Sequence, residues 1–205
     1  MDPQSEIVQA HSNATGRALD DLILGMDDDG NLGEGGILGS AVSGKRLSSV
    51  SQLPSEFKTV HGGVGLSIAK LRKARKKLGL DENDLAVFTP VCAITTTQHD
   101  DLLGIVESAS ANLNMLEQPQ IVDGKVTRLM GFEFVEHNGL YKTGSTRSCP
   151  VWIKNNVVLG VWQDIRTRAW NDSSAGNTPY FEIDFVMDCT RKQDKGVHII
   201  EATEA

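Results

Sequence analysis

From Ser67 to Ala202 the chain passes between segments of helical period and segments of strand period, and no strand–helix–strand unit repeats. Ser67 is placed to cap a helix that runs to Leu78 and stops at Gly79. Ile68, Leu71, Ala74 and Leu78 share one face of it, and lysines occupy another. Leu85–Val91 is an apolar run of strand length. A second helix is expected over Gln98–Ala111, turning Leu102, Leu103, Ile105 and Val106 inward. Val126–Glu136 and Pro150–Val161 read as core strands of one sheet. Tyr180–Asp188 alternates cleanly, with Phe181, Ile183, Phe185 and Met187 on one side. Val197–Ile200 is expected to close a last pairing through the polar turn Arg191–Gly196. Such interleaving favours an α+β fold over a doubly wound parallel sheet.

Upstream, Asp2–Met26 reads as a helix on the partial helical spacing of Ile7, Val8, Ala14, Ala18, Leu22 and Leu24. Asp27–Gly44 opens with three aspartates and is dense in glycine, so a flexible connection or extended loop is expected there, not a packed element. Pro54 excludes a helix interior in the mixed stretch that follows.

At 205 residues the chain suffices for one large domain or two small lobes with a shared core. A net charge of -7 disfavours a dedicated nucleic-acid binder, which needs a basic surface to neutralise phosphates. Cys92, Cys149 and Cys189 are odd in number and widely spaced, which fits reduced thiols packed as small apolar groups. The start of the chain has no signal-peptide pattern, and no stretch approaches the ~20 apolar residues of a membrane span.

No motif carries catalysis, a cofactor or a metal. Setting Gly30 at the sixth position of a calcium loop puts glycine at both anchoring positions, Gly25 and Gly36, where carboxylates are required. The HGGVG run, His61–Gly65, is similar to an esterase oxyanion loop, but the G-x-S-x-G elbow of such enzymes is missing. Its glycines serve better as a positive-φ turn ahead of the Ser67 helix. The five histidines lack zinc-site spacing, and Asp100 and Asp101 beside His99 suit a helix start. KLRKARKK is a basic cluster, and Lys70, Arg72, Lys73, Arg75, Lys76 and Lys77 are its candidate polyanion contacts. Without interleaved aromatics it lacks stacking platforms, so contact with nucleic acid would be nonspecific. Trp152, Trp162 and Trp170 flank strand-like runs and are expected in a core or an interface.

Taken in order, these segments resemble the major capsid protein of tailed bacteriophages, the Hong Kong phage-type shell fold. LSIAKLRKARKKLGL followed by LAVFTPV matches the family's basic helix and proline-containing strand. HDDLL supplies the paired leucines Leu102 and Leu103. In DGKVTRLMGFEFVEHNGL, Gly131 and Phe132 stand as the family has them. NNVVLGVW and the terminal GVHIIEA follow in family order, and DPQSEIVQAHSNATGRALDDLILGM looks like the family's helix before a glycine-rich connection.

The resemblance implies an axial lobe of mixed sheet flanked by helices and part of a peripheral lobe of helix plus long strands. Residues 1–60 would be the peripheral helix and connection, 61–165 the axial core, and 166–205 the peripheral return strands. It implies a structural, non-enzymatic subunit of a phage or prophage virion that assembles with itself into pentameric or hexameric capsomers in the bacterial host cytoplasm. Scaffold or other virion proteins are further expected partners; membranes and cofactors are not. Family chains also carry an upstream arm, extended loop and most of a spine helix, absent from this sequence. A monomer or small ring is therefore expected, not a closed shell. The alternatives from other classes are a nucleic-acid- or scaffold-binding module built on Lys70–Lys77, and an esterase-like hydrolase built on His61–Gly65.

Overall fold

The computed structural model describes residues 3–27, 30–39, 53–113, 120–122, 124–174, 176 and 178–204. Helix α1 spans Pro3–Leu24, α2 Ile68–Leu80 and α3 Thr96–Leu113. The strands are β1 Lys58–Thr59, β2 Pro90–Ile94, β3 Gln120–Val122, β4 Lys125–Leu129, β5 Phe132–Glu136, β6 Lys142–Thr143 and β7 Thr146–Ile153. Two long strands, β8 Val157–Asp172 and β9 Thr178–Arg191, precede β10 Val197–Thr203. The architecture is α+β, as the interleaving indicates.

The main sheet is mixed and runs β1-β10-β7-β2-β5-β4-β3, with β6 paired to the end of β7. Helices α2 and α3 lie on one face. Leu71, Ala74 and Leu78 of α2 and Leu102 of α3 meet Cys92, Ile94, Phe132, Cys149, Val151 and Ile200 in the larger buried cluster. Strand alternation sends Val197 and Ile199 of β10 the other way. There they pack with Ile37, Leu38, Leu53 and Phe57 in a second cluster.

Four elements differ from the sequence expectation. Val126–Glu136 is not one strand but a β4–β5 hairpin, because Met130 and Gly131 take positive φ of 53° and 74°. That is the twist a two-residue hairpin demands, and a glycine meets it at no steric cost. Leu85–Val91 is mostly turn, and strand pairing starts only at Pro90. Strand β10 does not pair with β9; it lies between β7 and β1 in the main sheet. Of Pro150–Val161, only the part to Ile153 belongs to that sheet, and Val157 onward turns away into β8.

The larger surprise is the glycine-rich stretch. Residues 28, 29 and 40–44 of it lie outside the described residues, but Gly35–Gly39 is buried. Its backbone is bonded on both sides: Gly36 N donates to Cys189 O, Ile37 N to Ile23 O and Leu38 N to Leu24 O. Here glycine provides close approach. A Cβ at Gly36 would overlap the backbone N and Cα of Gly25. Arg191, fully buried, fastens the loop from below: its Nη1 donates to Ile37 O at 3.0 Å and Gly39 O at 2.6 Å. Its Nε donates to Asp194 Oδ1 at 2.8 Å.

Candidate assembly surfaces

The basic helix keeps only half of its charges for solvent. Lys70 was expected on the outer face, yet it is buried, and its Nζ donates to Val64 O, Gly65 O and Glu201 O at 2.6–2.9 Å. Burial lowers its pKa from the usual lysine value, with Cys149, Asp101 and Glu201 opposing that shift. Arg75 donates Nη1 to Met130 O and so clamps the β4–β5 turn. Lys77 pairs with Asp81 at 3.1 Å and stands over the Phe57 ring. Arg72, Lys73 and Lys76 remain exposed, at spacing i, i+1, i+4 on one face of α2.

The HGGVG run is a structural turn. Gly62 and Gly63 have positive φ, and Gly63 N donates to His61 Nδ1. Nor is the acidic start of α3 a catalytic pair. His99 Nε2 accepts from Val126 N, while Asp101 Oδ2 accepts from Leu66 N. All three thiols are free and buried, and desolvation raises Cys149 to about 12 and Cys189 to about 11, so neither is a thiolate at neutral pH.

A buried polar network ties the end of the chain into the sheet. Glu204 accepts from Arg147 Nε and Nη2 at 3.0 and 2.9 Å, and from Gln98 Nε2 and Thr95 Oγ1 at 2.9 Å. Lys142 Nζ lies 3.0 Å from its other face. These donors, Arg147 foremost, hold its carboxyl well below the usual carboxylate range.

The surface that this fold leaves uncovered is the β8–β9 ribbon. It pairs from Val157–Arg191 to Asp172–Thr178, with register shifts around Gln163, and neither strand joins the main sheet. A two-stranded sheet on its own is marginal in water. Helix α1 lies along one side, leaving a groove of about 400 Å³ between Val8 and Leu19 on the helix and Ile165 and Ile183 on the ribbon. On the rest, Val158, Val161 and Val186 are exposed, Trp162 is 71% accessible, and Trp170 stacks on Tyr180 at 5.8 Å. Arg168 reaches across to Glu182 and Asp184 at 3.9 and 3.7 Å. Trp162 and Trp170 fit the interface reading of the tryptophans, while Trp152 packs half-buried against the core. Sequence reading missed where the ribbon strand lies, since the strand expected over Pro150–Val161 divides and β8 runs 16 residues, from Val157 to Asp172. The pair of tryptophans within one strand-forming stretch was the available signal.

A phage capsid protein family matches residues 1–204. No curated protein matches the sequence. Among solved structures, the chain is similar to an encapsulin complex from Synechococcus elongatus, at 8% identity and TM-score 0.60, covering 99% of this chain and 66% of that one. It is also similar to the capsid of an empty GTA particle, at 13% identity and TM-score 0.57, covering 98% and 67%. Mycobacterium phage Che8 gives 14% identity and TM-score 0.54, covering 94% and 60%. The chain thus spans 60–67% of the length of these three.

Proposed function

Since this chain belongs to the phage capsid protein family, we propose that it is a non-enzymatic shell subunit that assembles with copies of itself. The observation that carries this is the uncovered apolar ribbon, a surface of the kind that marks interaction sites. In this reading the main sheet with α2 and α3 is the axial lobe, gathered around pentamer and hexamer centres. Helix α1 with the ribbon is the peripheral lobe, meeting neighbouring capsomers. Assembly in a bacterial host cytoplasm and residence in the virion follow from the same reading, as does contact with scaffold or other virion proteins.

Trp162→Asp tests it. A side chain so exposed contributes little to the isolated fold, so the variant's stability is expected within about 0.5 kcal/mol of the parent. A tryptophan at the centre of an interface is worth about 2 kcal/mol or more, which is roughly 30-fold in the dissociation constant. Light scattering on a size-exclusion column is expected to show the variant dissociating at concentrations where the parent stays associated. Identical association of the two proteins would remove the ribbon from the interface.

A second reading is favoured by the exposure of Arg72, Lys73 and Lys76 on one helix face: nonspecific contact with a polyanion. Replacing all three by glutamine is expected to lower the salt slope of DNA binding by about two to three. An unchanged slope would leave α2 as a solvated face.

A further inference from the structure

Where β1, β10 and the end of α2 meet, side chains from three elements form a buried polar cluster away from the ribbon. His198 on β10 is 3% exposed. Its Nε2 lies 2.8 Å from Thr59 Oγ1 on β1. Its Nδ1 is buried and has no hydrogen-bond partner among the described residues. Asp81 caps α2 and takes Lys77 Nζ on Oδ1, while its Oδ2 is also buried and unpartnered among the described residues. Lys77 stands 4.8 Å from the centre of the Phe57 ring, in the turn that leads into β1. Strand β1 itself has only two residues, and its pairings are Lys58 with Ile199 and Thr59 with Ile200.

We propose that this cluster is a proton-operated clasp: protonation of His198 releases residues 53–60 from the edge of the main sheet and bares the outer edge of β10. The closed form disfavours an imidazolium. Thr59 offers one hydroxyl, and the cross-strand neighbour on β7 is Val151. The charged groups that face the ring are Lys77 and Asp81, and Lys77 already balances the Asp81 charge through Oδ1, so an imidazolium would set two cations against one carboxylate. Asp194, in the turn before β10, is held by Arg191. A second proton on the ring would bury a further positive charge beside Lys77, with Asp81 as the single carboxylate facing both. Once 53–60 detaches, water hydrates the ring instead.

Burial first, and Lys77 second, push the imidazole down from 6.5 to about 4, with Asp81 opposing. A folded-state value lowered in this way means that the clasp is at full strength above the ordinary 6.5 and is lost as pH falls toward about 4. Between pH 7 and 5 the opening equilibrium should rise about 20-fold. Glu204 stays ionised throughout that window, so its network does not contribute.

Hydrogen exchange on the whole chain at pH 7 and 5, corrected for the intrinsic pH dependence of amide exchange, reads this opening. Peptides covering 53–60 are expected to lose protection about 20-fold, and peptides in β7 to keep theirs. His198→Gln retains a partner for Thr59 without a titrating ring, and its 53–60 protection is expected to be the same at both pH values. Equal protection at both values in the parent, or the same loss in the variant, would overturn the clasp. If His198→Gln does not fold, NMR titration of His198 in the parent and in Asp81→Asn decides. A midpoint below 5 that falls further in Asp81→Asn supports the clasp, and a midpoint near 6.5 rejects it.

Discussion

Glu204→Ala is expected to cost about 3–5 kcal/mol, although the residue is next to the end of the chain. The carboxylate is buried and is the shared acceptor for Arg147, Lys142, Gln98 and Thr95. Removing it leaves the Arg147 guanidinium, mostly buried, without its counter-charge. The end of the last strand would then be held only by its backbone bonds, Glu204 N to Ser145 O and Thr203 N to Val64 O. The effect has a pH signature. The carboxyl is held below its ordinary value in the folded state, so its contribution is complete above pH ~4.5 and is lost as pH falls below that. Urea titrations at pH 7 and pH 3 are expected to show a large gap between parent and variant at neutral pH and a narrower one in acid. A gap of under about 1 kcal/mol at pH 7 would mean that the network is a solvated surface cluster.

Arg191→Ala is expected to have an effect of similar size, about 3–5 kcal/mol, expressed in a different place. Its guanidinium holds the carbonyls of Ile37 and Gly39 and the carboxylate of Asp194. Truncation orphans those acceptors and opens a cavity under Ile37 and Leu38. The loop 30–39 should then lose its hold on β9, so that a nonspecific protease cuts there first. Arg191→Lys is expected to recover only part of the loss, because an ammonium on a flexible stem cannot hold the planar fork of three acceptors. Parent-like resistance of the loop in Arg191→Ala would show that glycine packing alone retains it.

That loop marks the limit of what local sequence reveals. Helices α1 to α3 and the alternation in β9 were legible, because a 3.6- or 2-residue period records which side of an element is buried. Glycine density in Asp27–Gly44 gives the opposite impression. Isolated glycines raise the entropy cost of ordering, and nothing local shows that Gly25, Gly36 and Gly39 are spaced for backbone contact. The partner that makes the contact worthwhile, Arg191, lies 152 residues from Gly39. The hairpin inside Val126–Glu136 was hidden for a related reason. Met130 at positive φ breaks the usual turn chemistry, and Arg75, distant in sequence, holds its carbonyl.

The surfaces follow the same division. A run of six cations in eight positions was visible at once, but which of them face solvent depends on tertiary partners. Lys70 points at the carbonyls of the HGGVG turn and of β10, so helical spacing alone misplaced it. Strand β10 was misassigned because adjacency in sequence suggests pairing with β9, while the 3-10 turn Asp194–Gly196 instead returns the chain to the main sheet. The ribbon was legible as strands but not as a surface, since an apolar run such as VVLGVW reads as core wherever its cover comes from.

The central claim is that this chain is a subunit whose exposed ribbon is covered by other copies of itself. Electron microscopy of the purified 205-residue chain, with Trp162→Asp prepared alongside, tests it most directly. The expected images show rings of pentameric or hexameric outline, or shells built from them, in the parent and their loss in the variant. A parent that remains strictly monomeric up to millimolar concentration, with no ring in any field, would contradict it.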